Sequence, residues 1–256
     1  MSELYPEESQ RRDVMGHLEE LRRRILICLA GLTVLTVFFF TQEEALLGFV
    51  KSPLRGWGTH LIFIGPAEPF IAYVKIALLA GFAAAFPLIL HQAWAFFSPA
   101  LPRATRRHAW LWLALALALF ALGAAFSYVV ALPTALDFLI GFGKKIAVPN
   151  LTMDQYVSFF TAFMLAGGLI FEIPLAAGFL TDIGLIRSSF LKKKRPVALV
   201  VILIAAAILT PTQDIFNMML FAAPMELLYE CGILLSAAIE KRKKGTEAYG
   251  KNPLSA

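Results

Sequence analysis

The polar residues of this chain that are placed to do chemistry fall in three stretches. The first is MGHLEELRRRI (15–25), where His17, Glu19 and Glu20 precede three consecutive arginines at the mouth of a long apolar run. On a helix, Glu19 meets Arg23 and Glu20 meets Arg24 at i,i+4 in the favourable order, so the stretch can pair with itself. It can also bind. Lone carboxylates in a cationic rim suit a cationic guest, and a guanidinium engages a carboxylate bidentately, so an arginine-containing peptide is the natural ligand. The second stretch is GGLIFEIPLAAG (167–178), with Glu172 well inside an apolar run. A carboxylate at that depth costs about 2.5–3.5 kcal/mol or more, so it faces protein or water, or is protonated. Pro174 frees the carbonyl of Ile170 and kinks the helix, while Gly167 and Gly168 let another helix approach closely. Glu172 and Pro174 then read either as part of a polar groove on the concave side of a bundle, or as an internally bonded Glu that fixes packing. In the third stretch, TPTQD (210–214), Asp214 either caps the next helix or acts functionally. Glu226 and Glu230, one turn apart, read as snorkelling toward an interface.

No catalytic constellation accompanies these groups. The chain has no GxxxxGK[ST], HExxH or GxSxG, and its GFGKK (141–145) lacks the spacing that cradles a phosphate. Its two cysteines, Cys28 and Cys231, lie in apolar runs without CxxC or Cys/His ligand spacing and read as packing residues. No enzyme, metal or cofactor is expected.

The elements that must hold these residues are membrane spans. The 256 residues are 59% hydrophobic and 16% charged, with 22 Phe, whereas soluble domains carry about 25% charged residues. Apolar runs at about 25–41, 71–97, 109–133, 156–181, 196–209 and 215–239 predict six spans, each needing about 20 residues to cross the hydrocarbon. The fifth, Pro196–Leu209, is short, and if the carboxylates of the sixth sit at the interface its apolar part is short too, so that either the bilayer thins locally or the flanks snorkel. Between spans, EEALLGFVKSPL (43–54) and TALDFLIGFG (134–143) predict amphipathic helices on the outer surface. Of the 23 Lys and Arg, 18 fall in 1–24, 98–108, 182–195 and 240–256, which places both termini in the cytoplasm. The net charge of +5 is thus a topology signal, and no nucleic-acid partner is expected. Residues 1–240 read as one membrane domain and 241–256 as a disordered basic tail. The first run lacks an A-x-A cleavage site and reads as retained. The absence of a transit peptide favours the bacterial cytoplasmic (inner) membrane over the thylakoid.

Several motifs in order carry a resemblance: HLEELRRRI (17–25), SPL (52–54), PFIAYVKIAL (69–78), PLILHQAWAFFSPAL (87–101), FEIP (171–174), KKKRP (192–196), LTPTQD (209–214) and APMELLYECGI (223–233). Together they resemble the TatC family, the multi-spanning subunit of the twin-arginine protein translocase. The resemblance implies an all-α, six-span, cup-like bundle with short fifth and sixth helices. It implies a receptor for Arg-Arg signal peptides of folded precursors, driven by the proton gradient and working in an oligomeric complex with the single-span partners TatA and TatB. On this chain Glu20, Arg22 and Phe96 match the family's signal-peptide surface, with Glu19 beside them. Glu172 matches its intramembrane Glu, Pro53 its outer-loop proline and Asp214 its acidic turn residue. Two positions depart. Thr105 stands where the family has a Glu, removing a charge-assisted hydrogen bond worth about 1.5–3 kcal/mol; either Glu19 or Glu20 compensates, or signal recognition is weaker, or this is a divergent copy. Met218 replaces a polar residue used in partner contact. The alternative is a proton-coupled small-solute transporter with Glu172 as proton carrier, which would require repeats and converging midplane polar groups; the chain shows neither.

Overall fold

The computed structural model describes residues 6–55, 61–100, 106, 109–143, 150–209 and 215–250. The elements are α1 (Pro6–Phe40), α2 (Glu43–Lys51), a 3-10 turn at Ser52–Leu54, β1 (Leu61–Ile62), α3 (Glu68–Phe97) and α4 (Ala109–Phe126). After a π turn at Ser127–Ala131 follow α5 (Leu132–Gly143), β2 (Leu151–Thr152), α6 (Met153–Ile170), α7 (Ile173–Asp182), α8 (Ser188–Lys193), α9 (Arg195–Leu209) and α10 (Ile215–Gly250). Among the described residues, five helical stretches are long and apolar enough to cross a membrane: Met15–Phe40, Glu68–Phe97, Ala109–Gly143, Met153–Asp182 and Met218–Lys243. The helical membrane class expected from composition is what forms. In lipid every backbone polar group must be paired internally, and a helix does this by itself. The short fifth run forms a 15-residue helix, α9, roughly 22 Å long at 1.5 Å per residue.

Two departures have prolines behind them. The segment 134–143 is not a separate surface helix but continues α4 through the π turn. Pro133 has no N–H to offer four residues back, and the ladder shifts instead to the wider i→i−5 spacing, with the Leu132 N–H donating to the Ser127 carbonyl. At Pro174 the α-helical ladder is interrupted for two residues, Phe171 and Glu172, whose backbone stays in the right-handed region. α6 ends at Ile170, the Phe171 and Glu172 N–H groups donate back to Gly167 and Leu169 at 3.3 and 3.1 Å, and α7 restarts at Ile173. Pro87, by contrast, is carried inside α3.

Tight crossings hold the bundle. The ring of Phe120 and the backbone of Gly123 on α4 lie directly against Gly168 and Gly167 on α6, with Ser127 Oγ over Gly167. A side chain at either Gly123 or Gly167 would meet backbone, so glycine there sets the helix separation. α1 runs along α3, where the Thr36 backbone lies over Gly81. The core is centred on α6, with Phe160, Phe163 and Val157 fully enclosed by Ile76 and Leu132 among others. Large apolar side chains outside it, such as Leu29, Val34 and Val37 on α1, face outward, as lipid-facing residues do. Cys231 is also outward-facing, not the packing residue expected.

The two ends of the bundle differ. At one end β1 and β2 pair in parallel, Leu61 with Leu151 and Ile62 with Thr152. There the hydroxyls of Tyr156 and Tyr128 donate to the carbonyls of Val50 (2.6 Å) and Phe49 (3.1 Å), pinning the end of α2. The opposite end gathers the Met15 side of α1, the Phe97 end of α3 and the Asp182 end of α7, as the His17–Phe96, Trp94–Phe179 and Trp112–Phe179 ring contacts record. At that end α10 runs on through 241–250, which the charge pattern alone reads as disordered tail. Glu240 accepts from the Ser188 N–H (2.7 Å) and hydroxyl (2.6 Å), and Lys243 pairs with Asp182 at 3.2 Å. These bonds hold the helix end against α7 and α8.

Candidate functional site

The charged rim of α1 is where carboxylates, arginines and an open cavity coincide. Of the two self-pairings that the spacing allows, one forms. Glu20 accepts from Arg24 Nε and Nη2 at 3.0 and 2.5 Å, both on Oε1. Among the described residues Glu19 has no ion pair, with Arg23 or otherwise. An exposed i,i+4 pair is worth only a few tenths of a kcal/mol, so nothing holds Glu19 to Arg23. Arg24 has further anchors on α3: Nη1 donates to Gln92 Oε1 at 3.1 Å and Nη2 to the Ala95 carbonyl at 3.2 Å. Glu19, Glu20, Arg23 and Arg24 line, with His91 and Gln92, an open cavity of about 550 Å³. A neighbouring cavity of about 470 Å³ is lined by Glu19, Arg22, Arg23, Leu26 and Ala30. Phe96 stacks on His17, ring centroids 4.6 Å apart, and His17 Nδ1 lies 4.0 Å from Glu20 Oε2.

The structure thus brings Glu19, Glu20, Arg22 and Phe96 to one rim. Thr105, which the reading of the chain put beside them, lies outside the described residues, as does Asp214. The same reading passed over Gln92 and the Ala95 carbonyl. Their signal was present: HQ at 91–92 is a polar pair in an otherwise apolar stretch.

Elsewhere, Glu172 sits in the break between α6 and α7, half-buried, with Oε1 enclosed and no hydrogen-bond partner among the described residues. Among the described residues the internal hydrogen bond that one reading gave it is not seen. Pro174 is buried in the first turn of α7. Pro53 lies in the 3-10 turn after α2 and Met218 packs on the core from α10, both far along the chain from the rim. Glu230 does not merely snorkel. It accepts from Arg195 Nη2 at 2.6 Å, whereas Glu226 Oε2 is enclosed without a hydrogen-bond partner among the described residues. A pair unforeseen in the chain ties α3 to α6 near β2. Lys75 Nζ donates to Asp154 Oδ1 (2.5 Å) and Ser158 Oγ (2.8 Å).

Fold and site together define a multi-pass, all-α membrane protein whose polar groups line an open rim. Among the described residues no cluster of His, Cys, Asp and Glu is arranged to hold a metal ion. The family model of the Sec-independent protein translocase protein TatC matches residues 16–224. TatC from Koribacter versatilis is 34% identical over 242 residues, covering 91% of this chain and 89% of that protein. TatC from Aquifex aeolicus is 35% identical over 232 residues, covering 89% and 96%. A crystal structure of the twin-arginine translocase receptor TatC superposes with a TM-score of 0.80 at 34% identity, over 88% of this chain and 99% of that one. The chain belongs to the TatC family of Sec-independent protein translocase proteins; it is a translocase component, not an enzyme.

Proposed function

We propose that this chain is the signal-peptide receptor and core subunit of a twin-arginine translocase in the bacterial inner membrane. It spans the bilayer six times with both termini in the cytoplasm, and the short α9 serves as the fifth span. The arginine pair of a signal peptide docks on the α1 rim at Glu19 and Glu20, with Arg22, Phe96 and Thr105 around it. The apolar part of the peptide follows the groove that holds Glu172 and Pro174. Single-span TatA- and TatB-type subunits pack at α9 and α10, near Asp214 and Met218, with Pro53 shaping the outer face. Several copies assemble, and the proton gradient drives export of the folded cargo. The observation that carries this reading is Glu19: a carboxylate without an ion pair among the described residues, shared by two cavities in a rim otherwise rich in arginine. A guanidinium pair supplies the missing partner.

Crosslinking an Arg-Arg signal peptide to residues 17–24 and 96–107 tests the site. Strong adducts that vanish when the peptide carries Lys-Lys are expected; equal adducts from both peptides would remove the recognition step. The break at Glu172 is the one feature favouring the proton-coupled transporter, since such folds use discontinuous helices. Saturable solute uptake by the purified chain in vesicles, without partners, would bring that reading back.

A further inference from the structure

The arrangement around Arg24 carries one step more, and this step rests on the reading of the rim as an arginine receptor. Arg24 does more than neutralise Glu20. Its guanidinium is held on three sides, by Glu20 Oε1, by Gln92 Oε1 and by the Ala95 carbonyl. Its side chain is 22% exposed against 35% for Glu20. A fork with acceptors on two helices has one orientation, so α3 dictates where Arg24 points. Both of its bonds to Glu20 fall on a single oxygen. Oε2 is left without a donor in hydrogen-bond reach among the described residues, with His17 Nδ1 4.0 Å away. Glu20 and Glu19 line the same cavity.

We propose that Gln92 and Arg24 are positioning residues for the Arg-Arg preference of the rim. Gln92 fixes the Arg24 fork, the fork engages one oxygen of Glu20, and the other oxygen is presented to the cavity alongside Glu19. A planar guanidinium needs acceptors at set angles, whereas an ammonium is a point charge satisfied by a nearby carboxylate in any orientation. If Glu20 is released to rotate, the negative charge stays and its direction is lost. Attraction for lysine then persists while the advantage of arginine disappears. This separates positioning from mere support of the fold, which would weaken both guests alike.

The test uses the full chain purified in lipid nanodiscs and two labelled synthetic peptides, differing only in Arg-Arg against Lys-Lys before the apolar segment. Gln92→Met keeps the length and removes the acceptor; Arg24→Lys keeps the charge and removes the fork. Each is expected to lower the ratio of Arg-Arg to Lys-Lys affinity about tenfold, the size of one well-oriented charged hydrogen bond, with Lys-Lys affinity unchanged. In a Glu20→Gln background, Gln92→Met should lower the ratio no further, since the two act through one group. A preserved ratio in both variants, or a proportional loss of both affinities, overturns the positioning role while leaving the receptor reading standing. Equal affinities in the unaltered chain overturn both.

Discussion

Two adjacent glutamates on α1 have opposite fates. Glu20 is tied to Arg24, and Arg24 to α3, whereas Glu19 is exposed without an ion pair among the described residues. Glu19→Gln should therefore cost under about 0.5 kcal/mol of stability, as surface changes usually do, yet abolish most Arg-Arg peptide binding. Thermal unfolding and peptide titration of the same sample separate the two effects. At the other end of the bundle, Tyr156 is buried with its hydroxyl 2.6 Å from the Val50 carbonyl. Removing the hydroxyl takes away a buried hydrogen bond, so Tyr156→Phe should cost about 0.5–1.5 kcal/mol. Tyr128→Phe, at 3.1 Å and less buried, should cost less. Urea or thermal unfolding in detergent ranks them, and the reverse order would show that burial does not set the cost here.

Helix separation in this bundle is decided by small residues. Gly123 and Gly167 face each other across α4 and α6, and Ser127 fills the space over Gly167. Gly167→Leu must push the two helices apart or displace Ser127, and overpacking of this kind costs about 1–3 kcal/mol, sometimes more. Gly141→Leu, which meets nothing within 4 Å, is the control and should leave the unfolding midpoint nearly unchanged. Pairing between helices follows a different logic at Lys75 and Asp154. Each is about one-third exposed, at 35% and 37%, so screening limits the pair to about 1 kcal/mol. Lys75→Met alone should destabilise, and Lys75→Met with Asp154→Leu should recover most of the loss, because the single change strands a carboxylate. A double variant no better than the single one would mean that Ser158, the third member of the group, carries the coupling instead.

Orientation in the membrane belongs to the molecule as a whole. The ring contacts and the Asp182–Lys243 pair put the start of the first span and the end of the last at one end of the bundle, and the β1–β2 pairing at the other. The proposed topology makes the first end cytoplasmic. In a chain with Cys28→Ala and Cys231→Ala, an impermeant thiol reagent added outside right-side-out vesicles should label Ile64→Cys. It should reach His17→Cys and Lys243→Cys only once the vesicles are opened. Labelling of Lys243→Cys from outside would reverse the placement of the carboxyl terminus.

Much of this was legible in the chain before folding. Apolar runs of about 20 residues force helices in lipid, so the helical membrane class follows from composition and spacing alone. The short fifth helix and the gathering of charge at 17–24 follow in the same way. What the chain left open were choices between near-equal partners. The i,i+4 rule allows Glu19–Arg23 and Glu20–Arg24 equally, and only the Gln92 and Ala95 acceptors on α3, some 70 positions away in the chain, select the second. Likewise a proline predicts disturbance but not its form. Pro87 is absorbed in α3, Pro133 sits beyond a π turn and Pro174 follows a two-residue interruption. Local spacing can list the bonds that are possible; which one forms depends on the groups that packing delivers from elsewhere, and those exist only once the helices have met.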